Sequence, residues 1–133
     1  PATRIALQIK ATKPRLSIKE ITREQIQNYW GYKVKERTNL STLLSHWNDN
    51  IIFTSKKGKI FTYSIAEKYN KLSKPILVVF GSPERGIHEI LNNNIKKVQN
   101  SNIFNFFPNQ ATETVRLDEA ILGVLSTLNI LSR

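Results

Sequence analysis

Residues 81–86 combine two glycines with a serine, a proline, a glutamate and an arginine, directly after the apolar run 76–80. Glycines let a ligand approach the backbone closely, and a helix that begins behind such a segment presents free N–H groups. The segment lacks the Gly-Lys-Ser/Thr ending of a nucleotide-binding P-loop and the Gly-x-Gly-x-x-Gly pattern of a dinucleotide loop. Taken by itself, it is explained better as a turn than as a binding site.

A second segment, residues 105–116, is crowded with polar side chains and lies between a predicted strand and an apolar helical stripe. A solvated connection is the simple interpretation. In parallel α/β sheets, however, ligands bind beyond the carboxyl ends of the strands, where loops lead into helices. Both segments occupy such positions, so they are the two loops in which a binding site is expected.

Other reactive groups are sparse. The sequence has no cysteine, which excludes disulfides, thiolate metal sites and cysteine nucleophiles. His46 and His88 have no acidic or histidine partner at ligand spacing, so we expect no metal site, and we expect His88 on the polar side of its helix. Trp30 and Trp47 are more typical of a core than of platforms for stacking bases.

The charge balance favours a polyanionic partner. Twenty lysines and arginines against ten acidic residues give a net charge of +10, and the pI is about 10.0. Each phosphate that a protein neutralises releases counterions, which drives association with nucleic acid. The alternative is a charge that serves only solubility.

The apolar periodicity predicts an α/β fold with a parallel sheet, because short apolar runs alternate with helical spacings of three and four. The predicted strands are residues 33–37, 51–54, 76–80 and 103–107, with a lysine- and glycine-rich loop at 55–59. The predicted helices are Leu40 to Trp47, capped by Asn39 or Ser41; Ile65 to Leu72; a helix from Pro83, capped by Ser82 and ended by the asparagines 92–94; and Leu117 to Leu128.

Residues 1–30 do not share this alternation of strand and helix. Ile5, Leu7 and Ile9 alternate as in a half-exposed strand, which Pro14 interrupts. We therefore predict a β-rich appendage over residues 1–30 and an α/β domain over residues 31–133.

The two polar segments resemble a known family. Residues 78–90, VVFGSPERGIHEI, together with residues 105–116 and the final helix, are similar to the C-terminal half of the SPOUT methyltransferases. In that superfamily the first loop has the form Phe-Gly-x-x-x-x-Gly, and the second carries a proline and a Ser/Thr-rich turn. Residues 29–34, YWGYKV, resemble the return from an inserted β-barrel in the archaeal and eukaryotic branch of these RNA methyltransferases, which includes a uridine-N3 rRNA enzyme. The resemblance covers residues 29–133.

The sequence also departs from this pattern. A strand–helix unit that bears a catalytic arginine normally precedes the barrel, and no counterpart is visible here. The resemblance therefore implies the C-terminal portion of such a protein, whose activity depends on a missing unit that was cut away or is supplied by another chain. Ala111 stands where many relatives have glycine.

The resemblance implies a sheet closed by a C-terminal trefoil knot, with the two loops binding S-adenosylmethionine. It further implies methyl transfer to a base in structured RNA, with rRNA the expected substrate, a homodimer that uses the last helix, and a cytoplasmic or, in a eukaryote, nucleolar location. By position, the implied cofactor-binding residues are Phe80, Gly81, Glu84, Gly86, Phe106, Phe107, Asn109, Thr112, Thr114 and Val115.

Glu84, Glu113 and Arg116 are the catalytic candidates that follow from this resemblance. A carboxylate beside the methyl donor could accept the proton of a nitrogen acceptor, and Arg116 could hold a phosphate or polarise a base carbonyl. Glu84 could instead only favour the positive end of its helix. The candidate phosphate contacts are Lys56, Lys57, Lys59 and Arg85.

Two other functions stay open. A knotted module that binds RNA without catalysis would keep the charge and lose the chemistry. A nucleotide-binding domain of the flavodoxin-like type would be unknotted and would have no affinity for S-adenosylmethionine. Binding of that cofactor therefore separates the enzyme from both alternatives.

Overall fold

The computed structural model describes residues 5–26, 34–37 and 39–131. The chain divides into two compact units, Pro1–Glu36 and Arg37–Arg133. The predicted domain boundary after residue 30 and all but the last residue of the family-like segment 29–34 lie outside the described residues. That division stays a prediction.

The first unit contains an antiparallel pair of strands, β1 (Ala6–Ala11) and β2 (Ser17–Ile21). Leu7 lies opposite Glu20 and Ile9 opposite Ile18, and the register shifts after Ile9. The alternating residues of β1 were predicted as a strand, whereas no strand was predicted at residues 17–21, whose apolar pattern is weak. Both strands leave their apolar side chains largely exposed, because two strands alone bury little surface.

The second unit is a three-stranded parallel sheet with helices around it, as predicted. Its strands are β3 (Asn50–Ile60), β4 (Ile76–Val79) and β5 (Ser101–Asn105), and β3 lies in the centre. The helices are α1 (Leu40–His46), α2 (Tyr63–Leu72), α3 (Ile87–Ile90) and α4 (Leu117–Leu131). The asparagine expected to cap α1 does so, since the Asn39 side chain accepts a hydrogen bond from the Thr42 N–H at 3.3 Å.

The core is centred on β3, where Ile51, Ile52 and Phe53 are completely buried. Successive strand residues point to opposite faces, so both faces of this strand are covered, as in other parallel sheets. The cluster on one face joins Ile51 and Phe53 to Leu44, Val79, Ile87, Leu91 and Ile95.

Phe104 of β5 makes an edge contact with Tyr69 of α2, with ring centroids 6.0 Å apart. Burial raises the pKa of the Tyr69 phenol above its ordinary value of 10.0, and the hydrogen bond that Asn102 Nδ2 donates at 2.9 Å opposes part of the rise. Helices α2 and α4 also contact each other. None of the helices in the described segments is long and apolar enough to cross a membrane.

Several predicted element bounds were wrong. Residues 34–37 form no strand, and the predicted loop 55–59 belongs to the long strand β3. The third helix begins at Ile87 instead of Pro83, because Ser82 closes a turn with Arg85. The fourth predicted strand lies two residues earlier, at Ser101–Asn105.

The asparagines do end α3 as predicted. Asn92 and Asn93 adopt φ values of 50° and 61°, a left-handed conformation that asparagine tolerates better than most residues.

Candidate active site

A cavity of about 450 Å³ lies at the carboxyl ends of the three parallel strands. Its walls come from residues 54–57 of β3, from the first loop (residues 80–86), from the second loop (residues 105–116), and from α3 and α4. The volume is within the range of small-molecule pockets. The two loops singled out in the sequence therefore share one cleft.

Mutual hydrogen bonds shape the first loop. The Ser82 N–H donates to the Arg85 carbonyl at 2.9 Å, and the Arg85 N–H donates to Ser82 Oγ at 3.0 Å. This turn closes tightly on Gly81, where a Cβ atom would lie 3.1 Å from the Arg85 carbonyl oxygen. Gly86 differs, because a Cβ atom there would meet no atom within 4 Å. The backbone of Gly86 thus borders open space beside the cavity.

Two amide side chains brace the second loop. Asn105 Oδ1 accepts a hydrogen bond from the Phe107 N–H at 2.9 Å, and Asn105 Nδ2 donates to the Lys56 carbonyl at 3.3 Å. Gln110 Nε2 donates to the carbonyls of Thr112 and Glu113 at 2.8 and 3.0 Å. These bonds give an irregular segment a defined shape, which a ligand-binding loop needs.

The Phe107 ring lies against α4. A Cβ atom at Gly123 would come within 2.7 Å of Phe107 Cζ, so the glycine leaves the space that the ring occupies. Phe106 stacks on Phe61 with ring centroids 4.5 Å apart. Both aromatic residues near the start of the second loop therefore pack against other parts of the second unit, Phe106 against Phe61 and Phe107 against α4.

A bulge in β3 forms a third wall that the sequence did not predict. Thr54 and Lys59 both pair with Phe104, so residues 55–58 loop out of the ladder. Gly58 permits this path, since a Cβ atom there would lie 2.8 Å from the backbone of Ile103 and Phe104.

Lys56 joins the bulge to the second loop. Its Nζ donates to the Glu113 carbonyl at 3.2 Å, the same oxygen that accepts a hydrogen bond from Gln110. An ammonium bonded to a loop carbonyl is less available to a phosphate. The bond therefore suggests that Lys56 orders the cavity wall.

The structure brings together most of the residues proposed for the cofactor. Asn109 and Thr112 are exposed and lie outside the cavity lining. The proposed residues that line the cavity are Phe80, Gly81, Glu84, Gly86, Phe106, Phe107, Thr114 and Val115.

The charged candidates divide in the same way. Glu84 and Glu113 line the cavity. Arg116 lies outside the lining, is exposed, and has its Nε 3.7 Å from Asp118 Oδ1. Among the proposed phosphate contacts, Lys56 and Lys57 line the cavity, whereas the exposed Lys59 and Arg85 do not.

His88 is a cavity residue that sequence reasoning missed. It was expected on the polar side of its helix, but it belongs to the cavity lining. Its Nε2 is buried and has no hydrogen-bond partner among the described residues. The one feature of the sequence that could have placed His88 at the site is its position two residues after Gly86. Within the described segments, no group of three or more histidine, cysteine or acidic residues could hold a metal ion.

A comparison with protein families gives one match. The family model described as "Putative RNA methyltransferase", a SPOUT-type family, matches residues 1–128. The chain belongs to this family. RNA methylation is the general activity of the family, and it implies a methyl donor. The match reaches residue 1, so the family pattern includes the first unit, which the resemblance from residue 29 onward had left out. No curated protein matches the chain.

Proposed function

We propose that this chain transfers a methyl group from S-adenosylmethionine to a base of structured RNA, with rRNA as the substrate. The observation that carries the proposal is the single cavity that both loops line at the carboxyl ends of the strands. Membership of an RNA methyltransferase family supports the reaction type, and the net charge of +10 supports the polyanionic substrate.

The residues present fit this methyl donor. The cavity has a suitable volume of about 450 Å³, and the open space beside Gly86 lets a ligand approach the backbone. We propose that Phe80, Gly81 and Gly86 hold the donor from one side. Phe107, Thr114 and Val115 would hold it from the other, with adenine hydrogen-bonded to backbone amides. When bound, the donor supplies an electrophilic methyl group on a sulfonium, and the chain has no thiol that would intercept it.

Glu84 and Glu113 are the proposed proton acceptors. Both side chains are exposed in the cavity lining, where a base inserted from outside could reach them. Methylation of a ring nitrogen that carries a proton requires a group to take that proton, and a carboxylate can do so. Arg116, outside the lining, would bind RNA near the entrance, together with Lys57, Lys59 and Arg85. Such contacts to phosphates would orient the substrate without reading its sequence.

We also propose the trefoil knot and the homodimer of this superfamily, together with an intracellular location that follows from an RNA substrate. The dimer is supported by the exposed apolar face of α4. Leu122, Leu125 and Ile130 are 71%, 49% and 69% exposed, and large exposed apolar patches often mark protein–protein interfaces. Leu122→Glu combined with Leu125→Glu should give a monomer in size-exclusion chromatography with light scattering. Leu72→Glu, at a 52% exposed leucine of α2, is the control; the same mass for both variants would contradict this interface.

Methyl transfer can be tested directly. The full chain is incubated with radiolabelled S-adenosylmethionine and unmodified rRNA, and the digested nucleosides are separated and identified by mass spectrometry. The proposal predicts that one type of nucleoside carries the labelled methyl group when the enzyme is present in a smaller molar amount than the RNA. RNA binding without cofactor binding or transfer would instead establish a non-catalytic module.

A further inference from the structure

We infer that His88 binds the methyl donor through its Nε2 atom. The inference rests on the proposed function and adds a ligand-binding residue that neither the loops nor the family match assigns. It depends on two observations: His88 belongs to the cavity lining, and its Nε2 is buried without a hydrogen-bond partner among the described residues.

A purely structural role does not explain this imidazole. A buried nitrogen without a partner is costly, and native proteins leave few such groups. His88 follows Ile87, which is 1% exposed and part of the core cluster. A phenylalanine or leucine at position 88 would leave no unpaired nitrogen. The histidine is therefore better explained by a partner that arrives with the ligand.

The position of His88 favours the methyl donor over RNA as that partner. Ile87 of α3 and Val124 of α4 line the same cavity and are 1% and 0% exposed, so the part of the wall that these two residues form is buried. Glu84 and Glu113 of the lining are exposed. A cofactor that is seated before the substrate occupies the buried side, and the target base approaches from solvent.

The chemistry of the two groups is complementary. A neutral imidazole nitrogen either donates or accepts a hydrogen bond, depending on the tautomer. The adenosyl group offers ring nitrogens, an amine and two ribose hydroxyls. The Cβ–Cγ torsion of histidine is broad, so we propose that the imidazole turns to bring Nε2 to the donor when it binds.

The test compares His88→Phe and His88→Gln with the wild type. Phenylalanine keeps a flat ring without nitrogen, whereas the glutamine amide can replace the Nε2 hydrogen bond. Affinity for S-adenosylmethionine is measured by isothermal titration calorimetry without RNA. We expect His88→Phe to weaken binding by about 3- to 10-fold, the value of one hydrogen bond, and His88→Gln to recover most of it. The control is His46→Phe, because His46 is exposed on α1 and lies outside the cavity lining.

The melting temperature of the free protein separates a role of His88 in ligand binding from a role in stability. Removal of an unpaired buried nitrogen should leave the melting temperature unchanged or raise it, while the affinity for the donor falls. Two results would overturn the inference and leave the proposed function standing. One is binding of the donor by His88→Phe that equals the wild type. The other is a loss of binding that accompanies a lower melting temperature and that glutamine does not rescue. A wild type that does not bind the donor would overturn both the inference and the proposed function.

Discussion

Gly58 in the β3 bulge and Gly86 in the cavity lining should respond in opposite ways to the same substitution. At position 58, an alanine Cβ would lie 2.8 Å from the carbonyl carbon and oxygen of Ile103 and from the Phe104 nitrogen. These are backbone atoms of the neighbouring strand, which cannot rotate away as a side chain can. The bulge and β5 must therefore separate locally. Overpacking of this kind costs about 1–3 kcal/mol of unfolding free energy.

At position 86 the same methyl group meets nothing within 4 Å, and the backbone angles of −69° and 166° suit any residue. Gly86→Ala should stabilise the fold by about 0.4–1 kcal/mol, because alanine reduces the freedom of the unfolded chain. The two variants should thus differ by roughly 1.4–4 kcal/mol, or on the order of 5–15 °C in melting temperature.

Differential scanning calorimetry and urea unfolding at equal protein concentration measure this difference. Each variant is the control for the other, since both replace one glycine by alanine. A melting temperature for Gly58→Ala equal to or above that of Gly86→Ala would refute the bulge geometry and the close approach of residue 58 to β5.

Two further predictions concern ligand binding. Gly86→Val should weaken S-adenosylmethionine binding at least about tenfold, or about 1.4 kcal/mol, because valine fills the open space beside the backbone. The melting temperature should not fall. Unchanged affinity would show that residue 86 is not part of the site. Lys57→Glu with Lys59→Glu should reduce the slope of log affinity for RNA against log salt by about 1.4–1.8, the value of two lost phosphate contacts. A slope equal to that of the control, Lys68→Glu with Lys71→Glu on α2, would place the RNA elsewhere. Lys56 is left intact because it bonds to the Glu113 carbonyl.

Local patterns were enough to predict the parallel α/β unit. The apolar runs around Ile52 and Val78 are typical of strands covered on both faces, and the stripe of α4 has a clear helical period. Two strand ends followed by polar loops then indicated where a ligand could bind, and the resemblance to the SPOUT methyltransferases implied that the two loops share one site.

The remaining features depend on contacts between residues far apart in the chain. The bulge at 55–58 exists because Thr54 and Lys59 both pair with Phe104, some 50 positions later in the sequence. A lysine- and glycine-rich segment alone looks like a loop. The start of α3 was predicted too early because Ser82 caps a turn with the same hydroxyl that would cap a helix.

The placement of individual side chains was the least predictable feature. His88 was expected on the polar side of its helix, but α3 has only four residues and His88 belongs to the cavity lining. Lys56 was assigned to RNA from its charge, but its ammonium bonds to the second loop. Both outcomes depend on the tertiary path of the second loop, which one sequence does not reveal.

The central claim is that one methyl donor lies between the first and second loops. Titration of isotopically labelled protein with S-adenosylmethionine, followed by amide NMR shifts, tests it most directly because the location of the response is read out residue by residue. We predict the largest shifts at residues 80–87 and 105–115. Saturable shifts confined to the other described cavity, lined by residues of α1 and by Asn92 and Asn100, or no shifts at all, would contradict the claim.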